Sequence, residues 1–180
     1  MLTMVQNYAE QIETINRALG VPADYGPSRG LELQLEAPQS ELHLITEDWD
    51  IHPVRLYAPA AAAWFRLNAA AAADQVALMP LSGFRSVSRQ LEIFRRKLAS
   101  GLSLNEILRL NAAPGYSEHH TGRAIDVSTP GNRPFAESFG DTPAFHWLIR
   151  HGAEFGFHLS YPRDNPHGIS YEPWHWWWQS

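Results

Sequence analysis

The stretch SEHHTGRAIDV, residues 117–127, places two adjacent histidines, a glycine and an aspartate in one short run. Asp126 lies inside the apolar, strand-like sequence formed with Ala124, Ile125 and Val127, where an unpaired carboxylate is costly to bury. A dication removes that cost. A catalytic zinc takes three protein ligands from His, Asp or Glu and leaves a fourth position open. His119 or His120, together with Asp126 and His175, can supply that set. Strand parity favours His120 with Asp126, but Gly122 between them can break parity through a bulge or turn, so spacing leaves both histidines open. The reading without a metal is that Asp126 pairs with Arg123 or caps a turn.

A second cluster, YEPWHWWW, sets Glu172 three positions before His175. Pro173 pushes Glu172 out of the helical region, so the pair belongs on an extended or kinked segment rather than on one helix face. A carboxylate beside a metal ligand is what a metal-assisted hydrolase needs: the metal acidifies a bound water and the carboxylate takes its proton. The plainer alternative is a surface glutamate before a turn, with Trp174, Trp176, Trp177 and Trp178 serving as core and lid. Two histidines and one carboxylate also suit a non-haem iron(II) oxygenase, and a binding module that lost turnover is a third class. An intact Glu172 argues against both.

The elements that must position these groups follow from composition and periodicity. The chain has 180 residues, enough for one domain with a self-sufficient core. With 44% hydrophobic and 18% charged residues it reads as globular rather than disordered. A net charge of -5 argues against binding of a nucleic-acid backbone. The absence of cysteine excludes disulfides and thiolate metal sites. No stretch is apolar enough to span a membrane, and Glu10, Glu13 and Arg17 interrupt the start where a secretory signal needs an apolar core. The expectation is therefore a cytoplasmic protein as written, with a cell-envelope role requiring export. Oligomeric state is not legible.

Val5, Ile12, Ile15 and Leu19 predict an amphipathic helix over residues 5–19, followed by a Gly- and Pro-rich loop over 20–30. LHLIT (42–46) and VRLY (54–57) read as strands flanking EDWDIHP. An alanine-rich helix follows over 58–74, then a buried strand VALMPLSGF, and a helix capped by Ser86 or Ser88 and ended by Gly101. LSLNEILRLNAAPG gives a short helix and a loop, RAIDV a strand, TPAFHWLIRHG a helix, FGFHLSYP a strand and ISYEPWHWWW a final strand. The class is α+β, with helices packed on a small, mostly antiparallel sheet.

Ser117, His119, Gly122, Ala124 and Asp126 match S-x-H-x-x-G-x-A-x-D, Glu172 to His175 match E-x-W-H, and SGFRSVSRQ upstream is similar to S-G-Y-R-S-x-x-x-Q. In this order the three motifs resemble the zinc D-alanyl-D-alanine carboxypeptidases of the VanY type, peptidase family M15, a group that includes VanX dipeptidases and L,D-carboxypeptidases. The match runs from about Leu78 to Trp178. The resemblance implies a hedgehog/D,D-peptidase-like fold with a peptidase core over 51–180. Residues 1–50, which match nothing in the family, are expected as a helix and loop packed on the same domain.

The resemblance also selects His119 over His120 as ligand of one Zn²⁺, with Asp126 and His175. It assigns Glu172 as general base and Arg85 as the cation that holds the C-terminal carboxylate or the developing oxyanion. Ser117, Gln90 and Tyr161 fall at polar positions near the substrate, while Gly122 and Ala124 fall where close packing is needed. The implied substrate is a peptidoglycan stem peptide or precursor ending in D-Ala. Cleavage of an L,D bond or of D-Ala-D-Ala itself is the alternative on the same site. The chain departs from the family at Phe84 (often Tyr), at Ser160 (Arg in relatives with LRYP) and in the terminal WWWQS, all beside the expected cleft. His43, His52, His146, His151, His158 and His167 match no family position.

Overall fold

The computed structural model describes residues 2–46 and 53–180. Helix α1 (Leu2–Leu19) opens the chain, and a single helical turn, α2 (Tyr25–Ser28), interrupts the expected loop. Strands β1 (Leu42–Thr46) and β2 (Val54–Tyr57) pair antiparallel; the EDWDIH segment between them, with His52, lies outside the described residues. Helix α3 (Ala58–Ala73) and strand β3 (Met79–Ser82) precede α4 (Val87–Ala99) and α5 (Leu104–Leu110). Strand β4 (Ala124–Ser128), helix α6 (Pro143–His151), β5 (Phe157–Leu159) and β6 (His175–Trp178) complete the chain.

Local chemistry accounts for the boundaries. Ser86, rather than Ser88, caps α4 by accepting from Arg89 N at 3.1 Å. Ser103 and Glu106 form a reciprocal capping box on α5, and Thr142 caps α6, whose first helical residue is Pro143. The final strand is shorter than the apolar run ISYEPWHWWW predicts, beginning only at His175. Pro173 has no N–H to give a ladder, and His175 N instead donates to Glu172 O at 3.1 Å, closing a turn just before the strand.

A four-stranded antiparallel sheet in the order β3-β4-β6-β5 organises the molecule. Pro80 is tolerated in β3 because that strand lies at the sheet edge. Alternation puts Ile125 and Val127 of β4 and Trp176 and Trp178 of β6 into the main core, against Ala60, Trp64 and Leu67 of α3 and Leu148 of α6. The Trp-rich tail is thus mostly core, with Trp174 and Trp177 only partly buried. The same alternation turns Asp126 and His175 to the opposite face, where the β4–β6 register sets them directly across from each other. A second core, formed by Val21, Tyr25, Phe94, Ile107, Leu108 and Ala113, ties the N-terminal segment to α4 and α5. Asn16 Nδ2 donates to Pro114 O at 2.9 Å, and Ala37 N donates to His120 O at 2.8 Å, so that segment reaches the loop preceding β4.

Candidate metal centre

Asp126 and His175 reach one point by strand register; His119 reaches it by a turn. Residues Glu118–Thr121 form a 3-10 turn that ends at Gly122, whose φ is +68°. A β-carbon on Gly122 would stand 2.8 Å from Tyr57 N, so both the left-handed backbone and the close approach require glycine. This turn breaks strand parity and delivers His119, not His120, to Asp126. The donor atoms of His119, Asp126 and His175 lie within 4.8 Å of one another, and all three residues are buried. His119 Nε2 is 3.2 Å from Asp126 Oδ2, and His175 Nδ1 is 3.1 Å from Asp126 Oδ1.

Each ring has its other nitrogen engaged. His119 Nδ1 donates to Gly83 O at 2.7 Å, which leaves the Nε2 lone pair turned toward Asp126. His175 Nε2 donates to Glu118 Oε2 at 2.7 Å, which leaves Nδ1 for the same centre. The two rings meet edge to face with centroids 4.8 Å apart. His120 is arranged differently: fully buried, it donates from Nδ1 to Arg85 O at 2.6 Å and accepts from Gly115 N at Nε2, 3.1 Å. Neither of its nitrogens is free for a metal. Burial, the largest influence, lowers its pKa to about 4, so it stays neutral.

The electrostatics suit a divalent cation. Burial by itself would raise the Asp126 carboxyl, but His119 and His175 outweigh it and hold it well below the usual carboxylate range. Burial disfavours charge on His175, yet its hydrogen bonds to Asp126 and Glu118 outweigh that and raise it to about 10. Burial would raise the half-buried Glu118 carboxyl, but its hydrogen bond to His175 outweighs that and holds it below its ordinary value. Three carboxylates, those of Asp126, Glu118 and Glu172, thus gather round two imidazoles. That donor set fits a dication bound through His119, Asp126 and His175.

Glu172 carries no side-chain hydrogen bond among the described residues, and its main-chain N donates to Tyr161 O at 3.1 Å. Burial, helped by Asp126 and opposed by His175, Arg85 and Lys97, raises its carboxyl to about 7. Arg85 stands beside the centre with Nη2 3.9 Å from Asp126 Oδ2, and its Nη1 donates to Gln90 Oε1 at 2.9 Å. Gln90 is fully buried and donates from Nε2 to Ala112 O at 2.7 Å. Both ends of its amide are therefore taken, and it holds Arg85 in place. Ser117 is buried at the start of the 3-10 turn, its hydroxyl without a hydrogen bond among the described residues. The Tyr161 ring lies tilted against His175, centroids 4.9 Å apart.

Glu118 and Lys97 in this neighbourhood are not named by the sequence reading, and Ser160 is named there only as a departure from the family pattern. Glu118 adjoins His119 at a motif position that admits any residue. Ser160 Oγ donates to Glu118 Oε2 at 2.7 Å. Lys97 donates to Asn111 Oδ1, and its charge acts on Arg85 and Glu172. The spacing of Gln90, Phe94 and Lys97 on one face of α4 is the signal that points to Lys97. Of the remaining histidines, His167 binds Arg29 O and meets the Tyr161 ring edge-on, centroids 6.1 Å apart, while His151 pairs with Glu154.

Residues 53–180 match the VanY family, described as D-alanyl-D-alanine carboxypeptidase. YodJ of Bacillus subtilis (strain 168), assigned as a carboxypeptidase, is 31% identical over 178 residues, covering 97% of this chain and 62% of YodJ. The chain thus spans less than two thirds of that relative. VanXYC of Enterococcus gallinarum, a bifunctional D-Ala-D-Ala dipeptidase and carboxypeptidase, is 31% identical over 147 residues, covering 78% of this chain and 76% of VanXYC. Among solved structures, the LD-carboxypeptidase LdcB superposes with a TM-score of 0.72 at 29% identity, over 82% of this chain and 74% of that one. The vancomycin-resistance D,D-pentapeptidase VanY, solved as a point mutant with Zn(II), gives 0.58 at 27% identity over 87% and 81%.

Proposed function

This chain belongs to the VanY family of D-alanyl-D-alanine carboxypeptidases, and from that premise we propose that it is a zinc-dependent carboxypeptidase removing the terminal D-Ala of peptidoglycan stem peptides or their precursors. The observation that carries this reading is the convergence of His119, Asp126 and His175 beside a carboxylate, Glu172, that has no hydrogen-bond partner among the described residues. His119 Nε2, an Asp126 oxygen and His175 Nδ1 would hold the ion. When bound, zinc supplies Lewis acidity, which polarises the scissile carbonyl and acidifies water at the site.

The chain's own groups do the rest. Glu172 accepts the proton of the attacking water on its carboxylate and returns it to the leaving amine nitrogen, so that proton transfer costs no separate charged fragment. Burial raises this carboxyl to about 7 in the metal-free protein, and a bound dication would draw it down so that the carboxylate is available as base near neutrality. Arg85, kept rigid by Gln90 and by main-chain bonds to the His119–His120 turn, presents its guanidinium to the substrate's terminal carboxylate or to the carbonyl oxygen. Ser117, at the start of the turn that carries His119, and Tyr161, packed on His175, are the expected polar contacts to the peptide.

Mass spectrometry of stem pentapeptide, tetrapeptide and D-Ala-D-Ala, incubated with the zinc-loaded protein, tests the reading. Loss of one alanine from the pentapeptide alone is the expected result. The likeness to LdcB favours a second reading, removal of D-Ala from the tetrapeptide across an L,D bond; cleavage of tetrapeptide with the pentapeptide untouched selects it. No cleavage of any of the three sinks both.

A further inference from the structure

Glu118 and Ser160 come from opposite ends of the site and meet on one carboxylate oxygen. Glu118 opens the 3-10 turn that carries His119, and at three residues per turn the two neighbouring side chains leave in different directions. His119 goes to Asp126, while Glu118 passes to the far edge of His175. There its Oε2 accepts from His175 Nε2 at 2.7 Å and from Ser160 Oγ at 2.7 Å. Ser160 is tied to the same strand pair, since its main-chain N donates to His175 O at 3.4 Å.

His175 is consequently gripped on both edges, by Asp126 at Nδ1 and by Glu118 at Nε2, and its face is covered by Tyr161. A metal-bound imidazole almost always donates its other ring N–H to an acceptor, which fixes its tautomer and orientation, and a carboxylate acceptor also makes the ligand more basic. A glutamate side chain only 20% exposed is a liability unless its charge is paired.

We infer that Glu118, locked by Ser160, is a positioning residue for the metal centre: it fixes His175 in the Nε2–H tautomer and holds Nδ1 toward the ion. The inference rests on the metal-binding reading above but assigns a role that the three motifs leave open.

The test is zinc affinity, measured by competition with a chromophoric chelator on the whole chain and on its variants, with circular dichroism of each metal-free protein as the folding control. Glu118→Ala is expected to bind zinc about ten- to a hundredfold more weakly, the usual cost of losing such a partner. Glu118→Gln, which can still accept from Nε2–H but lacks the charge, should recover part of the loss, and Ser160→Ala should weaken binding by a smaller factor. In ¹⁵N-resolved spectra of the zinc-loaded parent, His175 should show a protected Nε2–H proton whose shift moves in Glu118→Gln. If Glu118→Ala fails to fold, Glu118→Gln and Ser160→Ala carry the test alone. A parent that binds zinc while both of these match it, with the His175 signal unmoved, overturns the inference and leaves the peptidase reading intact. A parent that takes no zinc overturns both.

Discussion

The Nδ1 of His120 lies 2.6 Å from the main-chain oxygen of Arg85, so this buried imidazole holds the backbone of the arginine whose guanidinium stands beside Asp126. The return bond, Arg85 N to His119 O at 3.0 Å, makes the contact two-sided. His120→Ala should therefore keep zinc, whereas His119→Ala loses it. The same variant leaves Arg85 O and Gly115 N without their partner, which should lower stability by about 1–3 kcal/mol. Misplacing Arg85 should reduce kcat/KM by about ten- to a hundredfold. Metal content by atomic emission, thermal unfolding and steady-state assays check the three effects; zinc lost from His120→Ala and kept by His119→Ala reverses the assignment.

Asp126 is shared by His119 and His175, one on each oxygen. Asp126→Asn keeps the shape but offers a neutral oxygen and an NH₂ in place of two acceptors. It should lose most zinc affinity and, because one imidazole then faces a donor, more activity than simple loss of charge predicts. Retention of stoichiometric zinc in Asp126→Asn after dialysis against a chelator would speak against Asp126 as a ligand.

Glu172→Gln should bind zinc and fold, with turnover down by roughly two to four orders of magnitude, the scale for removing a general base. Near-normal turnover with zinc bound would return Glu172 to a structural role.

The same residue makes metal-free stability depend on pH. Burial raises the Glu172 carboxyl from its ordinary 4.5 to about 7, so the folded state holds this proton more tightly than the unfolded chain. Its contribution is fully favourable below 4.5 and is lost as pH rises toward 7. Metal-free Glu172→Gln should consequently be more stable than the parent at pH 8, by about 1–3 kcal/mol, with the difference shrinking in acid. Denaturant titrations of both proteins at acid and alkaline pH decide it; a pH-independent difference rules the linkage out. With zinc bound the dication lowers this carboxyl, so the acid limb of kcat/KM should fall below about 7.

Arg85 faces the centre with its guanidinium fork partly committed to Gln90. Arg85→Lys supplies one ammonium in place of a planar pair of donors and should cost on the order of 2 kcal/mol in transition-state binding, roughly thirtyfold in kcat/KM. A peptide ending in free D-Ala should be cut while its C-terminal amide is not. Equal rates on the two peptides would mean that Arg85 acts on the carbonyl oxygen or elsewhere.

The sequence by itself determined the kinds of element and the chemical types at the site. The spacing of apolar residues marks α1, the alanine run marks α3, Ser86 or Ser88 and Gly101 bracket α4, and the apolar run around Asp126 marks β4 as a strand. These are local properties, set by the helical and strand periods and by caps within a few residues. Tertiary structure alone decided which of two adjacent histidines turns to Asp126. That choice depends on a 3-10 turn closed at Gly122, where Tyr57 from another strand leaves no room for a side chain. It likewise decided that Gln90 spends its amide on Arg85 and Ala112 instead of reaching into the cleft. Glu118 shows the reason most directly: its partners Ser160 and His175 stand 42 and 57 positions away, and periodicity carries no information about contacts made across that separation.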